Sequence, residues 1–83
     1  MTDALVLRLL SREDCHLCEV AQRALDSLGA VYELVDVDDD KALLQRYGDL
    51  IPVLLYGEQE VARAPIDRDL LRHALQGLDS ASR

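Results

Sequence analysis

Apolar residues occur along the chain in short groups that polar residues separate, and the spacing within each group predicts its secondary structure. Residues 4–10 (ALVLRLL) form an apolar run that only Arg8 interrupts, as expected of a strand buried on both faces. From residue 15 to residue 28, apolar side chains recur at the spacing of one helix face, and Gly29 follows where helices commonly end. The first part of the chain therefore predicts a strand followed by an amphipathic helix.

The rest of the chain continues this alternation and ends in a hairpin and a helix. Residues 31–37 are rich in β-branched side chains and predict a second strand, and the aspartates at 38–40 suit the first turn of a helix that ends at Gly48. Residues 51–56 and 59–62 flank Gly57-Glu58, a two-residue connection typical of an antiparallel hairpin. Asp67 is expected to cap a last amphipathic helix that reaches Leu78, and residues 79–83 are expected to fray.

The predicted element order is β-α-β-α-β-β-α, in a single α/β domain of residues 1–83. The first two strands require a right-handed crossover and are therefore parallel, while the hairpin adds an antiparallel pair. We expect a four-stranded mixed sheet with helices on both faces. A chain of this length is close to the size at which one hydrophobic core suffices, so no second domain is expected.

Charge and hydropathy narrow the classes of function. Sixteen acidic and nine basic residues give a formal net charge of -7, which argues against nucleic acid or an anionic membrane as a partner. No apolar run approaches the roughly 20 residues that span a bilayer. Asp3 precedes the first apolar segment and no basic stretch does, so the pattern of a signal peptide is absent. We therefore expect a cytoplasmic protein.

The two cysteines of the chain form the motif Cys15-His16-Leu17-Cys18 at the head of the first predicted helix. In a reducing compartment such a pair is more often catalytic or metal-binding than a structural crosslink. Backbone N–H groups at a helix N-terminus favour the thiolate of Cys15. A dithiol can attack a disulfide and then resolve the mixed disulfide that forms. The residues alone leave three interpretations open: a redox pair, a metal or cluster site within one chain or between two, and two inert buried thiols.

The cysteine motif at the start of the first helix and Ile51-Pro52 at the start of the third strand together resemble the glutaredoxins, which have the thioredoxin-like fold. The segments YELVDVD (32–38), RYG (46–48) and IPVLL (51–55) are similar to the short bacterial glutaredoxin-like proteins. The resemblance covers nearly the whole chain. It implies a thiol-disulfide oxidoreductase that reduces protein or low-molecular-weight disulfides, with Cys15 as the nucleophile and Cys18 as the resolving thiol.

The resemblance also implies roles for residues around the cysteines. It implies a cis Ile51-Pro52 bond opposite the pair, with the backbone of Ile51 free to bind an extended thiol substrate by strand addition. Arg12 matches a basic residue that meets a carboxylate of glutathione. His16 stands where glutaredoxins usually carry proline, and it either tunes the redox pair or is an exposed residue of the helix start.

One departure from the family pattern concerns glutathione. Glutathione-using glutaredoxins typically carry a Gly-Gly pair and an acidic residue after the fourth strand, where this chain has Ala62-Arg63-Ala64-Pro65, which argues against glutathione as a co-substrate. No metal or organic cofactor is expected, because the electrons reside in the dithiol itself. We expect a monomer whose partner is a disulfide-bearing protein or small thiol. The alternative is a non-catalytic thioredoxin-fold binding module, or a metal or cluster carrier, that uses the same cysteines.

Overall fold

The computed structural model describes the backbone of residues 6–81 and the side chains of residues 6–76. Within these residues the elements follow the predicted order: β1 (Leu7–Ser11), α1 (His16–Ser27), β2 (Glu33–Asp36), α2 (Lys41–Tyr47), β3 (Val53–Tyr56), β4 (Gln59–Arg63) and α3 (Arg68–Ala81). A 3-10 turn, Val37–Asp39, lies between β2 and α2. The predicted α/β class and element order are confirmed.

The strands form one mixed sheet in the order β2-β1-β3-β4. β1 pairs with β2 in parallel, and β3 is antiparallel to both β1 and β4. The last residue of β1, Ser11, therefore lies beside Asp36 at the end of β2, and Leu10 lies opposite Val53 at the start of β3. The loops that follow β1 and β2 and the loop that precedes β3 therefore lie together at one edge of the sheet, where these strands end or begin.

Helices cover both faces of the sheet, as predicted. Successive side chains of a strand point to opposite faces, so adjacent leucines of β1 enter different cores. On one face α1 and α3 pack against the strands, with a core that includes Leu9, Ala21, Leu25, Leu54 and Leu71. On the other face the 3-10 turn and α2 do so, with a core of Leu10, Val37, Tyr47, Val53 and Leu55. The second core includes Val53 at the start of β3, and Ile51 packs against it.

The aspartate run after β2 caps two elements instead of forming the first turn of one helix. The Asp36 carboxylate accepts a hydrogen bond from the Asp38 N–H at 2.9 Å and caps the 3-10 turn. Asp40 accepts from the N–H groups of Ala42 and Leu43 at 3.0 and 3.1 Å, so α2 begins only at Lys41. The prediction that residues 38–40 form the first turn of α2 is wrong, because the side chain of Asp40 satisfies the first free N–H groups of the helix.

The caps of the other two helices follow the prediction. Gly29 adopts φ 69°, a left-handed conformation that glycine tolerates at a helix end, and its N–H donates to the Asp26 carbonyl at 3.1 Å. At the start of α3, Asp67 accepts from the Leu70 N–H at 2.8 Å. α3 continues to Ala81 and so includes the first part of the tail for which fraying is predicted; residues 82 and 83 lie outside the described residues.

Strand ends differ from the prediction by a few residues. β1 begins at Leu7, and residues 4 and 5 of the predicted strand lie outside the described residues. β2 begins at Glu33, which pairs with Arg8 of β1; Val31 takes no part in the pairing and is 88% exposed. Between residues 6 and 81, no helix is long and apolar enough to span a bilayer.

Candidate active site

The two cysteines lie at the N-terminus of α1 and are joined as a disulfide, with their Cα atoms 5.2 Å apart. Cys15 is the N-cap of α1, and its sulfur accepts a hydrogen bond from the Cys18 N–H at 3.2 Å. Cys15 is partly exposed, whereas Cys18 is 1% exposed. The geometry therefore presents one accessible sulfur, with the second sulfur buried behind it in the first turn of the helix.

The local electrostatics at Cys15 favour a negative sulfur. The first N–H groups of a helix have no partner within the helix, and the dipole places a partial positive charge at this end. Asp14, which precedes the cap, adopts φ 57°, a left-handed conformation that aspartate tolerates better than most residues. The turn at Asp14 brings the chain from the end of β1 to the cap, so the positions of both cysteines follow from the local sequence.

His16 and Leu17, the two residues between the cysteines, are exposed. The His16 side chain makes no hydrogen bond to any side chain or backbone group of residues 6–76 that the structure describes. Leu17 is 50% exposed beside the disulfide and adds apolar surface there. Whether His16 tunes the pair or is only an exposed residue of the helix start stays a prediction.

Pro52 lies at the same edge of the sheet, immediately before β3. The Ile51-Pro52 peptide bond is cis, Pro52 is buried and Ile51 is half-buried. The Pro52 carbonyl accepts a hydrogen bond from the Ala64 N–H at 3.0 Å, which joins the loop to the end of β4. A second cis bond, Ala64-Pro65, follows directly. This second cis bond was not predicted, and no residue pattern beyond X-Pro marks it.

Arg12 is fixed by an ion pair with Asp38. Its Nε donates to Asp38 Oδ2 at 3.3 Å and its Nη2 donates to Oδ1 at 2.5 Å. The hydrogen bond to Asp38 raises the pKa of Arg12 above its ordinary value, and the same bond lowers the pKa of Asp38. The sequence predicts Arg12 at the site but not its partner Asp38, because only the parallel register of β1 and β2 brings residues so distant in sequence together.

Two further features bear on ligands. Arg63, at the end of β4, donates from Nε and Nη2 to the Glu60 carboxylate at 2.6 and 2.9 Å. Arg12 and Arg63 are therefore both already bound to carboxylates. Across the described part of the chain, no three His, Cys, Asp or Glu side chains lie close enough to hold a metal ion together.

Comparisons with known proteins agree with this arrangement. The model of the Glutaredoxin-like domain (DUF836) matches residues 6–76. The X-ray structure of protein XcR50 from X. campestris has a TM-score of 0.78 and is 38% identical, over 86% of this chain and 96% of that chain. The solution structure of protein Ne2328 from Nitrosomonas europaea has a TM-score of 0.70 and is 26% identical, over 88% and 93% of the two chains.

A more distant likeness concerns the fold alone. The crystal structure of a buckwheat glutaredoxin-glutathione complex has a TM-score of 0.59 at 22% identity, over 88% of this chain and 70% of that chain. The search of curated proteins finds no match.

Proposed function

The chain belongs to the glutaredoxin-like domain family, and from that membership we propose that it is a thiol-disulfide oxidoreductase that reduces protein or low-molecular-weight disulfides. The observation that supports this most directly is the environment of Cys15. Its sulfur is partly exposed, caps a helix and accepts the Cys18 N–H, while Cys18 is buried one turn further on. An exposed, stabilised thiolate with a neighbouring thiol is the arrangement that disulfide exchange requires.

The reaction proceeds in two exchange steps from the reduced protein. The Cys15 thiolate attacks one sulfur of the substrate disulfide, a Cys15-substrate disulfide forms, and the other substrate sulfur leaves as a thiolate. Cys18 then attacks the Cys15 sulfur and gives up its proton to the departing substrate sulfur, so the second substrate thiol is released and the Cys15-Cys18 disulfide remains. Two electrons pass from the protein to the substrate, and an external thiol reductant restores the dithiol.

Ile51 and Pro52 are proposed to position the substrate. They immediately precede β3, at the edge of the sheet where β1 leads into the cysteine loop. The Ala64 N–H holds the Pro52 carbonyl, so this loop is anchored to β4. An extended peptide could add to the backbone of Ile51 as a further strand, with its disulfide directed at Cys15.

The charges at the site support a disulfide-bearing protein as the substrate over glutathione. Glutathione carries two carboxylates and one ammonium group, so its binding requires cationic donors. Arg12 is bound to Asp38 and Arg63 to Glu60, and each arginine directs two N–H donors to its carboxylate. We propose that the protein acts in the cytoplasm, as a monomer, on a partner that carries a disulfide.

A single-turnover experiment tests the proposal. The reduced protein, freed of reductant, is mixed with a small peptide disulfide, and the released thiol and the intact mass are followed together. We expect the wild type to release both peptide thiols, Cys18→Ser to release one and retain the other as a mixed disulfide, and Cys15→Ser to react far more slowly. The double variant gives the background. Attack that survives in Cys15→Ser but fails in Cys18→Ser would reverse the proposed roles, and equal rates in all variants would refute the function.

A further inference from the structure

A pocket with polar and charged side chains in its lining lies beside the loop that leads to Cys15. Its volume is about 220 Å³, and its lining residues are Ser11, Arg12, Glu13, Gln22, Leu34 and Asp36. They come from the end of β1 and the loop after it, from α1 and from the edge strand β2. Pro52 lies before β3, on the other side of β1. The pocket is therefore distinct from the surface at Ile51 and Pro52, although both adjoin the cysteine loop.

Ser11 supplies a buried polar group to this pocket. It is 6% exposed, and its hydroxyl has no hydrogen-bond partner among the side chains and backbone groups that the structure describes. Side chains alternate along a strand, so Ser11 points to the same face as Leu9, which α1 covers. Buried polar groups in folded proteins almost always have a partner. Because Ser11 lines the pocket, a polar group bound there can supply the partner that its hydroxyl lacks.

Carboxylates dominate the charge of the lining. Arg12 contributes a cation, but its Nε and Nη2 donate to Asp38. Glu13 and Asp36 form no ion pair with any residue in the described part of the chain. The hydrogen bond and the charge of Asp38 do most to raise the pKa of Arg12, and the charges of Asp36 and Asp49 add to this, so the Arg12 cation is itself surrounded by carboxylates. A cation therefore fits the pocket better than an anion.

We propose that this pocket binds the ammonium or guanidinium group of a lysine or arginine side chain that lies close to the disulfide of a protein substrate. This inference rests on the proposed oxidoreductase function and adds a preference among substrates. The carboxylates of Glu13 and Asp36 accept hydrogen bonds from the cation, and the Ser11 hydroxyl gains the partner that it lacks. Leu34, which is 52% exposed, offers an apolar surface to the aliphatic part of the bound side chain.

The test compares two peptides of equal length, each with one disulfide, which differ only in a lysine or a glutamine beside it. The second-order rate constant of each peptide with the reduced protein is measured, and the ratio of lysine to glutamine peptide is the readout. We expect a ratio above one in the wild type. Removal of one carboxylate charge in Glu13→Gln or Asp36→Asn should lower the ratio by about three- to fivefold, as for an ion pair near the surface. Asparagine at position 36 keeps an acceptor for the Asp38 N–H.

Asp69→Asn is the control, because Asp69 is exposed on α3 and the substitution removes the same charge away from the pocket. We expect it to leave the ratio within about twofold of the wild type. An unchanged ratio in both pocket variants would overturn the inference. An equal fall in the ratio for Asp69→Asn would also overturn it, since that result would show that the ratio depends on the net charge of the protein and not on the pocket.

A binding measurement separates failure of the pocket from failure of the proposed function. The oxidised protein is titrated with N-acetyl-lysine methylamide and, in parallel, with the glutamine analogue, and the backbone amide resonances are followed by NMR. Shifts at Ser11 and Gln22 with the lysine compound alone would support the pocket, whether or not the peptides are reduced. Failure to reduce either peptide would refute the oxidoreductase function but not the pocket. Reduction of both peptides at equal rates, without such shifts, would overturn the pocket alone.

Discussion

The cap that Cys15 provides to α1 leads to a stability prediction that is independent of redox turnover. The Cys15 sulfur accepts the Cys18 N–H at 3.2 Å, and Cys18 is buried. Serine at position 15 retains a good acceptor for this N–H, whereas alanine leaves it without one. Replacing a good N-cap by alanine costs about 0.5–2 kcal/mol. Because neither variant can form the disulfide, its contribution cancels between them.

We therefore expect Cys15→Ala to unfold at a lower temperature than Cys15→Ser. In a domain of this size each kcal/mol moves Tm by roughly 4–8 °C, so a cap of about 1 kcal/mol separates the two variants by that amount. The assay is thermal unfolding under reducing conditions, followed by far-ultraviolet circular dichroism. His16→Ala, at an exposed position, is the control and should change stability by less than about 0.5 kcal/mol. Equal Tm values for the alanine and serine variants would refute the role of Cys15 as a cap.

Three further predictions follow from contacts elsewhere in the fold. Leu54 is fully buried in β3, so Leu54→Ala should lower the free energy of unfolding by about 2–5 kcal/mol in urea titrations, and a loss below about 1 kcal/mol would contradict its place in the core. Asp40→Ala should cost about 1 kcal/mol in the same assay because it removes the cap of α2, while the neighbouring Asp39→Ala should cost less; equal losses would contradict the cap. The pKa of Asp38 is lowered in the folded protein, so its bond with Arg12 stabilises the fold at pH values above the pKa that Asp38 has in the unfolded chain. This stabilisation is lost as the pH falls through the pKa that Asp38 has in the folded protein. Asp38→Asn should thus be less stable than the wild type near neutral pH and equally stable at strongly acidic pH, whereas a difference independent of pH would contradict the ion pair.

The fold could be predicted in outline because each element carries its own periodic signal. The apolar run of β1 and the helical spacing of α1 are local patterns, and Gly29 and Asp67 mark helix ends by their own chemistry. The ends of strands were less predictable. Val31 has the side chain of a strand residue, but it is exposed and unpaired, because pairing depends on the register with β1 and not on propensity.

The candidate site also combines features that the local sequence predicts with features that depend on how the strands pair. Cys15, the N-cap, and Cys18, in the first turn, lie close together at the start of one helix, so their spacing alone marks a candidate pair, for which a redox role and a metal site were both open interpretations. The bond between Arg12 and Asp38 is not encoded locally, since it exists only when β1 and β2 lie side by side in parallel. The same holds for Ser11, whose lack of a partner is a property of the packed structure and not of any motif.

The central claim, that Cys15 and Cys18 form a working redox couple, is tested most directly by a redox titration. The metal-free protein is equilibrated in buffers of varied ratio of reduced to oxidised glutathione, free thiols are alkylated under denaturing conditions, and the intact mass is measured. We expect one reversible transition between dithiol and intramolecular disulfide, at a potential within the cytosolic range, and no such transition in Cys15→Ser or Cys18→Ser. Two thiols that stay reduced in every buffer would contradict the account.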